Sequence, residues 1–212
     1  MRFHELTERI EAGEGLTTEF KRRVSTGVKI AREMIAFANT RGGVIIFGID
    51  DDKSVVGVVS EKAELEEITH SADHLCNPPV KHIVTIFNVN DRDIICIEIP
   101  ESDRKPHFLA DDADDPKSYV RVGENSVQAS REMIRVLRHQ YGPSEPVRLI
   151  IGEAEKRLFV WFEDHERITV KEYAKLINVS ERRASRLLVR LVRAGAVAIH
   201  TQEKSDYFTS ML

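Results

Sequence analysis

The stretch Val44-Ile45-Ile46-Phe47-Gly48-Ile49 constrains this chain more than any other. It is β-branched and aromatic, carries no polar side chain, and reads as a buried strand. Just before it, Ile30, Met34, Phe37 and Ala38 recur at helical spacing between Gly27 and Thr40, so a helix feeds the strand through Arg41-Gly42-Gly43. A buried strand needs layers packed on it, and the rest of the first 142 residues supplies candidates. A short helix is expected over 3–12 and an extended segment over 16–24. After a polar turn, Val55 to Val59 reads as a second strand, and 62–75 reads as a helix that stops before Asn77-Pro78-Pro79. Strands over 80–89 and 94–99 are joined by Asn90-Asp91-Arg92-Asp93; a short strand over 119–122 and a helix over 127–139 follow. The expected body is α+β, with a mixed, mostly antiparallel sheet and flanking helices.

Charge divides the chain. Up to Gly142 there are 19 Lys+Arg against 25 Asp+Glu, from residue 143 onward 12 against 10, and from Arg167 onward nine against four. An acidic body and a basic end imply two domains, the basic one suited to an acidic partner. Tyr141-Gly142-Pro143-Ser144-Glu145-Pro146 interrupts the periodic segments. The expected division is therefore a body over 1–142, a linker over 143–152 and a second domain over 153–212. With 42% hydrophobic residues and a net charge of −4, the composition excludes disorder and fibre. No apolar run approaches the ~20 residues of a membrane span, and Met1-Arg2-Phe3-His4-Glu5 is unlike a signal peptide, so a cytoplasmic protein with no membrane partner is expected. Cys76 and Cys96 lie outside any CxxC or Cys/His cluster and read as buried, reduced thiols.

The C-terminal residues read as a small winged helix-turn-helix domain. A helix over 153–164 carries Leu158, Trp161 and Phe162; Thr169 opens the next, with Glu172 completing a capping box, and Ser180 opens a third that ends before Gly195. Two strands around Gln202-Glu203-Lys204-Ser205 supply the wing. At 100° per residue the third helix gathers Ala184, Leu187, Leu188 and Leu191 on one face, with Arg182, Arg186, Arg190 and Arg193 on or near the other and Arg183 beside them. One reading is a DNA-reading helix in a major groove; the other is a solvated arginine face on a helix that packs or dimerises.

Three stretches of the body together resemble the Schlafen AlbA-like (AlbA_2) domain family, found in many bacterial and archaeal proteins described as transcriptional regulators and in animal Schlafens. They are Glu14-Gly15-Leu16-Thr17-Thr18-Glu19-Phe20-Lys21, then Ile35 to Asp51 with its Asn39-Thr40-Arg41-Gly42-Gly43 turn and the following Val56-Gly57, and Lys105-Pro106 with Tyr119-Val120-Arg121-Val122-Gly123, Ser126, Ala129 and Ser130. The resemblance implies an AlbA-like fold, followed in many prokaryotic members by a helix-turn-helix. In nucleolytic Schlafens two glutamates five apart and a later aspartate bind a metal. Glu14, Glu19 and Asp50 or Asp51 match that pattern, which implies Mg²⁺ or Mn²⁺ and phosphodiester cleavage.

The residues allow a second reading, in which Glu19 pairs with Lys21 or Arg22. If Phe20 points inward, Glu19 and Lys21 share the opposite face of their strand. Lys21, Arg22 and Arg23 form a basic triplet that, with Arg41 and Arg121, would make a phosphate-binding strip or else a solvated edge. Gly42 and Gly43 suit a turn approached closely by backbone or phosphate, and no GxxxxGK[ST] loop is present for ATP turnover. His70 and His74 lack a third zinc ligand, and His107 has no assignable chemistry. The preferred reading is a homodimeric nucleic-acid-binding transcriptional regulator that needs no cofactor. In it Arg182, Ser185 and Arg186 read DNA, or structured RNA, with Arg183 also binding it, while Arg190 and Arg193 lie nearer the backbone. The alternative is a metal-dependent nuclease or ribonuclease.

Overall fold

The apolar run becomes β2 (Gly43–Phe47), an inner strand of a four-stranded sheet in the order β1-β2-β5-β4, where β1 is Thr18–Lys21, β4 is Ile83–Val89 and β5 is Arg92–Ile99. The computed structural model describes residues 1–110, 115–140, 151–202 and 205–211. The strand β1 runs parallel to β2, whereas β5 is antiparallel to both β2 and β4, so the sheet is mixed. The pleat sends alternate side chains to opposite faces. Ile45, Phe47, Ile95 and Ile97 pack with α2 (Gly27–Asn39) and α3 (Glu61–His74), while Val44, Ile46, Ile94 and Phe20 pack with Leu6 of α1 (Phe3–Ala12).

The helix α2 is buried on more than one side: Ile35, Ala36, Phe37 and Ala38 are all fully buried. Such all-round burial requires a second covering layer. It is formed by β6 (Phe108–Leu109), which pairs with β3 (Cys76–Asn77), and by the hairpin of β7 (Tyr119–Val122) with β8 (Asn125–Gln128). The expected strand over Val55–Val59 is a loop instead. Gly57 adopts φ +77°, and the amides of Val56 and Gly57 both donate to the Gly48 carbonyl, which breaks the extended run. The helix expected from Val127 starts at Arg131, because 125–128 form β8.

The chain divides into two compact units, Met1–Gln128 and Ala129–Leu212. So α4 (Arg131–Gln140), expected in the first domain, belongs to the second unit; of the linker expected over 143–152, only Ile151 and Gly152 lie among the described residues. The revised division sharpens the charge contrast to 16 Lys+Arg against 24 Asp+Glu in the first unit and 15 against 11 in the second.

The second unit continues with α5 (Glu153–Asp164), α6 (Val170–Leu176), α7 (Glu181–Arg193) and a hairpin of β9 (Val197–His200) with β10 (Tyr207–Ser210). Leu158, Ile168, Tyr173, Ala184, Leu188, Leu191 and Phe208 form its core. The capping box forms as expected, with the Glu172 amide donating to Thr169 Oγ1 and the Thr169 amide to the Glu172 carboxylate. Gly195 takes φ +71° just past the end of α7, the left-handed geometry that ends a helix without a Cβ penalty. Ser180 sits at the N-cap of α7, but its hydroxyl makes no capping bond. Cys76 and Cys96 are buried free thiols, and burial pushes both up to about 12. Among the described residues, no helix is long and apolar enough to cross a membrane.

Candidate nucleic-acid interface

Helix α7 is held from two directions. Ala184, Leu188 and Leu191 are fully buried in the core, which fixes the leucine face as its periodicity requires. The neighbouring face, carrying Ser185 and Val189, is also buried, because α4 lies against α7. Ser185 donates to the Glu132 carboxylate and accepts from Arg135 at 2.8 Å. At the other end of α4, burial first, then the positive charges of Arg193 and Arg138, hold the His139 imidazole below its ordinary range.

What remains in solvent is the arc carrying Arg182, Arg183, Arg186 and Arg193, all exposed. Arg190 is drawn inward to the buried Glu155 carboxylate, with its side chain 40% exposed. Ser185, expected among the reading residues, is 3% exposed and serves the α4–α7 contact. The basic character of α4, with Arg131, Arg135, Arg138 and His139 against Glu132, was the available signal that it belongs with the basic end.

The carboxylates of the first unit are placed differently from a metal site. Phe20 packs inward and Glu19 and Lys21 share the opposite face as the alternation requires, but there Glu19 is buried against Arg121 of the β7–β8 hairpin and Lys21 is half-buried. Glu19, 6% exposed, pairs with Lys21 and with Arg121 at 2.9 Å. Glu14 accepts the Phe20 amide at 2.8 Å, and Asp50 accepts from Arg22 at 2.6 Å. Asp51 is exposed. Among the described residues no group of three or more His, Cys, Asp or Glu is arranged to hold a metal ion. Glu14, Glu19 and Asp50 are instead satisfied locally by a cation or an amide, as buried and half-buried charges require.

Arg121 is the hub of this arrangement. Its guanidinium is fully buried 4.6 Å from the Phe37 ring centroid and donates to Glu19, to Glu33 at 3.1 Å, to Ser126 at 3.2 Å, and to the carbonyls of Gly15 at 2.7 Å and Glu124 at 2.8 Å. It is thus unavailable to a phosphate. The expected strip divides further because β1 and β2 are parallel: Arg22 and Arg23 follow the C-terminal end of β1, whereas Arg41 precedes the N-terminal end of β2. The strand length between them is about 13 Å. Arg22, Arg23 and Arg41 are exposed, and Lys21 is held by Glu19.

The other motif residues also hold the body together. The Asn39 amide nitrogen donates to the carbonyls of His107 and Tyr119 and to Ser118 Oγ, and its oxygen accepts the His107 amide at 2.8 Å. The His107 ring bridges the Pro78 carbonyl and Ser102 Oγ, both at 2.7 Å, which gives this histidine the positioning role that the sequence left open. Gly42, at φ +70°, is approached by the protein's own backbone: a Cβ there would sit 2.6 Å from the Ile99 carbonyl oxygen.

The chain is 32% identical over 100 residues to an uncharacterized ATP-binding protein of Ureaplasma parvum, a match covering 42% of this chain and 28% of the relative. Among solved structures, the DIP2311 protein of Corynebacterium diphtheriae matches with 18% identity and a TM-score of 0.45 over 67% of this chain and 31% of that one. The N-terminal domain of a RecG-related protein of Nitrosomonas europaea matches with 20% identity and a TM-score of 0.46 over 72% of this chain and 97% of that one. The family model described as Schlafen, AlbA_2 matches residues 14–130, the span that holds Glu19, Asn39, Gly42, His107 and Arg121, and on that match the chain belongs to the Schlafen AlbA_2 family.

Proposed function

We propose that this protein is a nucleic-acid-binding regulator, in which the second unit is a winged helix that engages duplex DNA through α7. The observation that carries this reading is the outward arc of Arg182, Arg183, Arg186 and Arg193 on a helix whose leucines anchor it from behind. Four guanidinium groups on one rigid face suit phosphates and the acceptor edge of guanine in a major groove. The packing of α4 on α7 through Glu132, Ser185 and Arg135 fixes that face before any partner arrives, which lowers the cost of ordering it on binding. The hairpin β9–β10 serves as the wing. The first unit acts as the platform for assembly, and two copies acting together raise affinity through effective concentration.

The Ureaplasma relative is named for ATP, but the Gly42-Gly43 turn of this chain is filled by its own backbone and by the Phe37 ring, and that turn supports no phosphate cradle. The test is fluorescence anisotropy of the full chain with labelled duplex DNA over a salt series. Wild type shows a steep linear fall of log affinity with log salt, and a variant with Arg182, Arg186 and Arg193 changed to Ala loses both affinity and slope. A salt-independent interaction, or a triple variant that binds as wild type does, overturns the proposal.

A further inference from the structure

The two edges of the first unit's sheet are built differently. The edge strand β1 is four residues long, carries Glu19 and Lys21, and is covered by its own chain: Thr18, Glu19 and Phe20 are buried, Glu14 accepts the Phe20 amide, and Gly15 donates to the Thr18 carbonyl. The opposite edge, β4, runs seven residues as Ile83-Val84-Thr85-Ile86-Phe87-Asn88-Val89 with no charge and no proline. Ile83 is 61% exposed, and Val84 and Ile86 are each 38% exposed. Both layers end open there. Val84 and Ile86 stand opposite Ile97 and Ile95 on the α2 face, while Phe87 and Val89 border the α1 cluster on the other, with the exposed Phe3 ring 6.0 Å from Phe87. Natural sheets blunt a free edge with charge, proline or brevity, and β4 uses none of these.

We propose that β4 is the pairing edge for a second copy of this chain, two β4 strands lying antiparallel across a two-fold axis at Ile86 so that two four-stranded sheets join into one. The register follows from the sequence. Centred on Ile86, it sets Ile83 against Val89, Val84 against Asn88 and Thr85 against Phe87, with no charge meeting a like charge. The exposed Lys81 precedes the strand and the exposed Asp91 lies in the turn that follows it, so an antiparallel copy sets a basic end beside an acidic end, twice over. A partner with this charge pattern at this spacing is the same strand reversed, which is what an isologous interface requires. The inference deepens the assembly role given to the first unit above, and its test needs no nucleic acid.

The experiment is sedimentation velocity of the full chain at micromolar concentration, together with oxidative cross-linking of single-cysteine variants. Wild type sediments as a dimer. Ile86→Lys sets two ammonium groups opposite each other on the axis and weakens association about a hundredfold. Ile83→Lys, at the most exposed apolar position of the strand, weakens it as well, and both keep the wild-type circular dichroism. Residues directly opposite in an antiparallel ladder have Cα atoms about 4.5 to 5.5 Å apart, within disulfide reach. Ile86→Cys, which faces itself, therefore cross-links, while Val84→Cys, which faces Asn88, does not; Cys76 and Cys96 are buried and silent. A monomeric wild type, a dimer that survives both lysine substitutions, or cross-linking as fast at Val84 as at Ile86 overturns the inference. A dimer that fails to bind DNA counts against the α7 reading and leaves this one standing.

Discussion

In the first unit the Arg121 guanidinium is fully buried between two carboxylates and an aromatic ring, whereas in the second Arg186 stands in solvent on the face of α7 opposite its leucines. The side chains are chemically identical, and their surroundings divide the labour. Arg121 lies on a hairpin laid over α2, where remote parts of the same unit meet its own hairpin, so its two terminal nitrogens tie Gly15, Glu19, Glu33 and Glu124 together. Arg186 lies on an arc that neither the core nor α4 covers, and its side chain stands in solvent. One guanidinium is tied into the fold, and the other is left in solvent.

The strongest way to break this comparison is Arg121→Ala. It leaves the buried Glu19 with Lys21 alone and the half-buried Glu33 with Ser126, and burial already pushes the Glu33 pKa up, so a loss of about 3 to 5 kcal/mol is expected, read from the denaturation midpoint. Stability equal to wild type would show that Arg121 is not the hub. Gly42→Ala comes next, at about 3 kcal/mol, since it combines a left-handed φ with a Cβ driven into the Ile99 carbonyl. Arg186→Ala should act in the opposite sense: chemical denaturation shifts by less than about 0.5 kcal/mol, while DNA binding weakens by about 1 kcal/mol and the salt slope falls by about one.

The smallest effect is a pH dependence in the second unit. Burial first, and Glu132 to a lesser degree, hold the Asp206 pKa above its ordinary 3.8, against the hydrogen bond from Ser130. A carboxyl raised on folding favours the protonated folded state, so its contribution is fully present below 3.8 and is lost as pH rises through the higher folded value. Asp206→Asn removes that loss and should flatten the stability–pH curve above 3.8 by about 1 kcal/mol or less. An unchanged curve in thermal melts across that range would place the titration elsewhere.

The fold's local elements were legible. The apolar run over 44–49, the helical period of α2, the capping box at Thr169 and the leucine–arginine period of α7 all became the elements their patterns required. Two readings went astray for the same reason. The 55–59 run has strand composition, but Gly57 turns the chain out of the sheet. The helix α4 looked like the end of the body because the Pro/Gly-rich stretch follows it, yet its polar and apolar side chains serve α7.

By itself the sequence determined where helices and strands form and which face of each is apolar, because backbone geometry ties those patterns to residues three or four apart, or two apart. It also carried the family's motif residues in their order. Only the tertiary structure decided which polar groups are consumed and which are free. The parallel pairing of β1 with β2 separates Arg41 from Arg22, the β7–β8 hairpin brings Arg121 to Glu19 across 102 residues, and α4 reaches Ser185 through Glu132 across 53. A charge's role depends on what lies within a few ångströms of it, and in this chain those neighbours come from distant segments that no local period records.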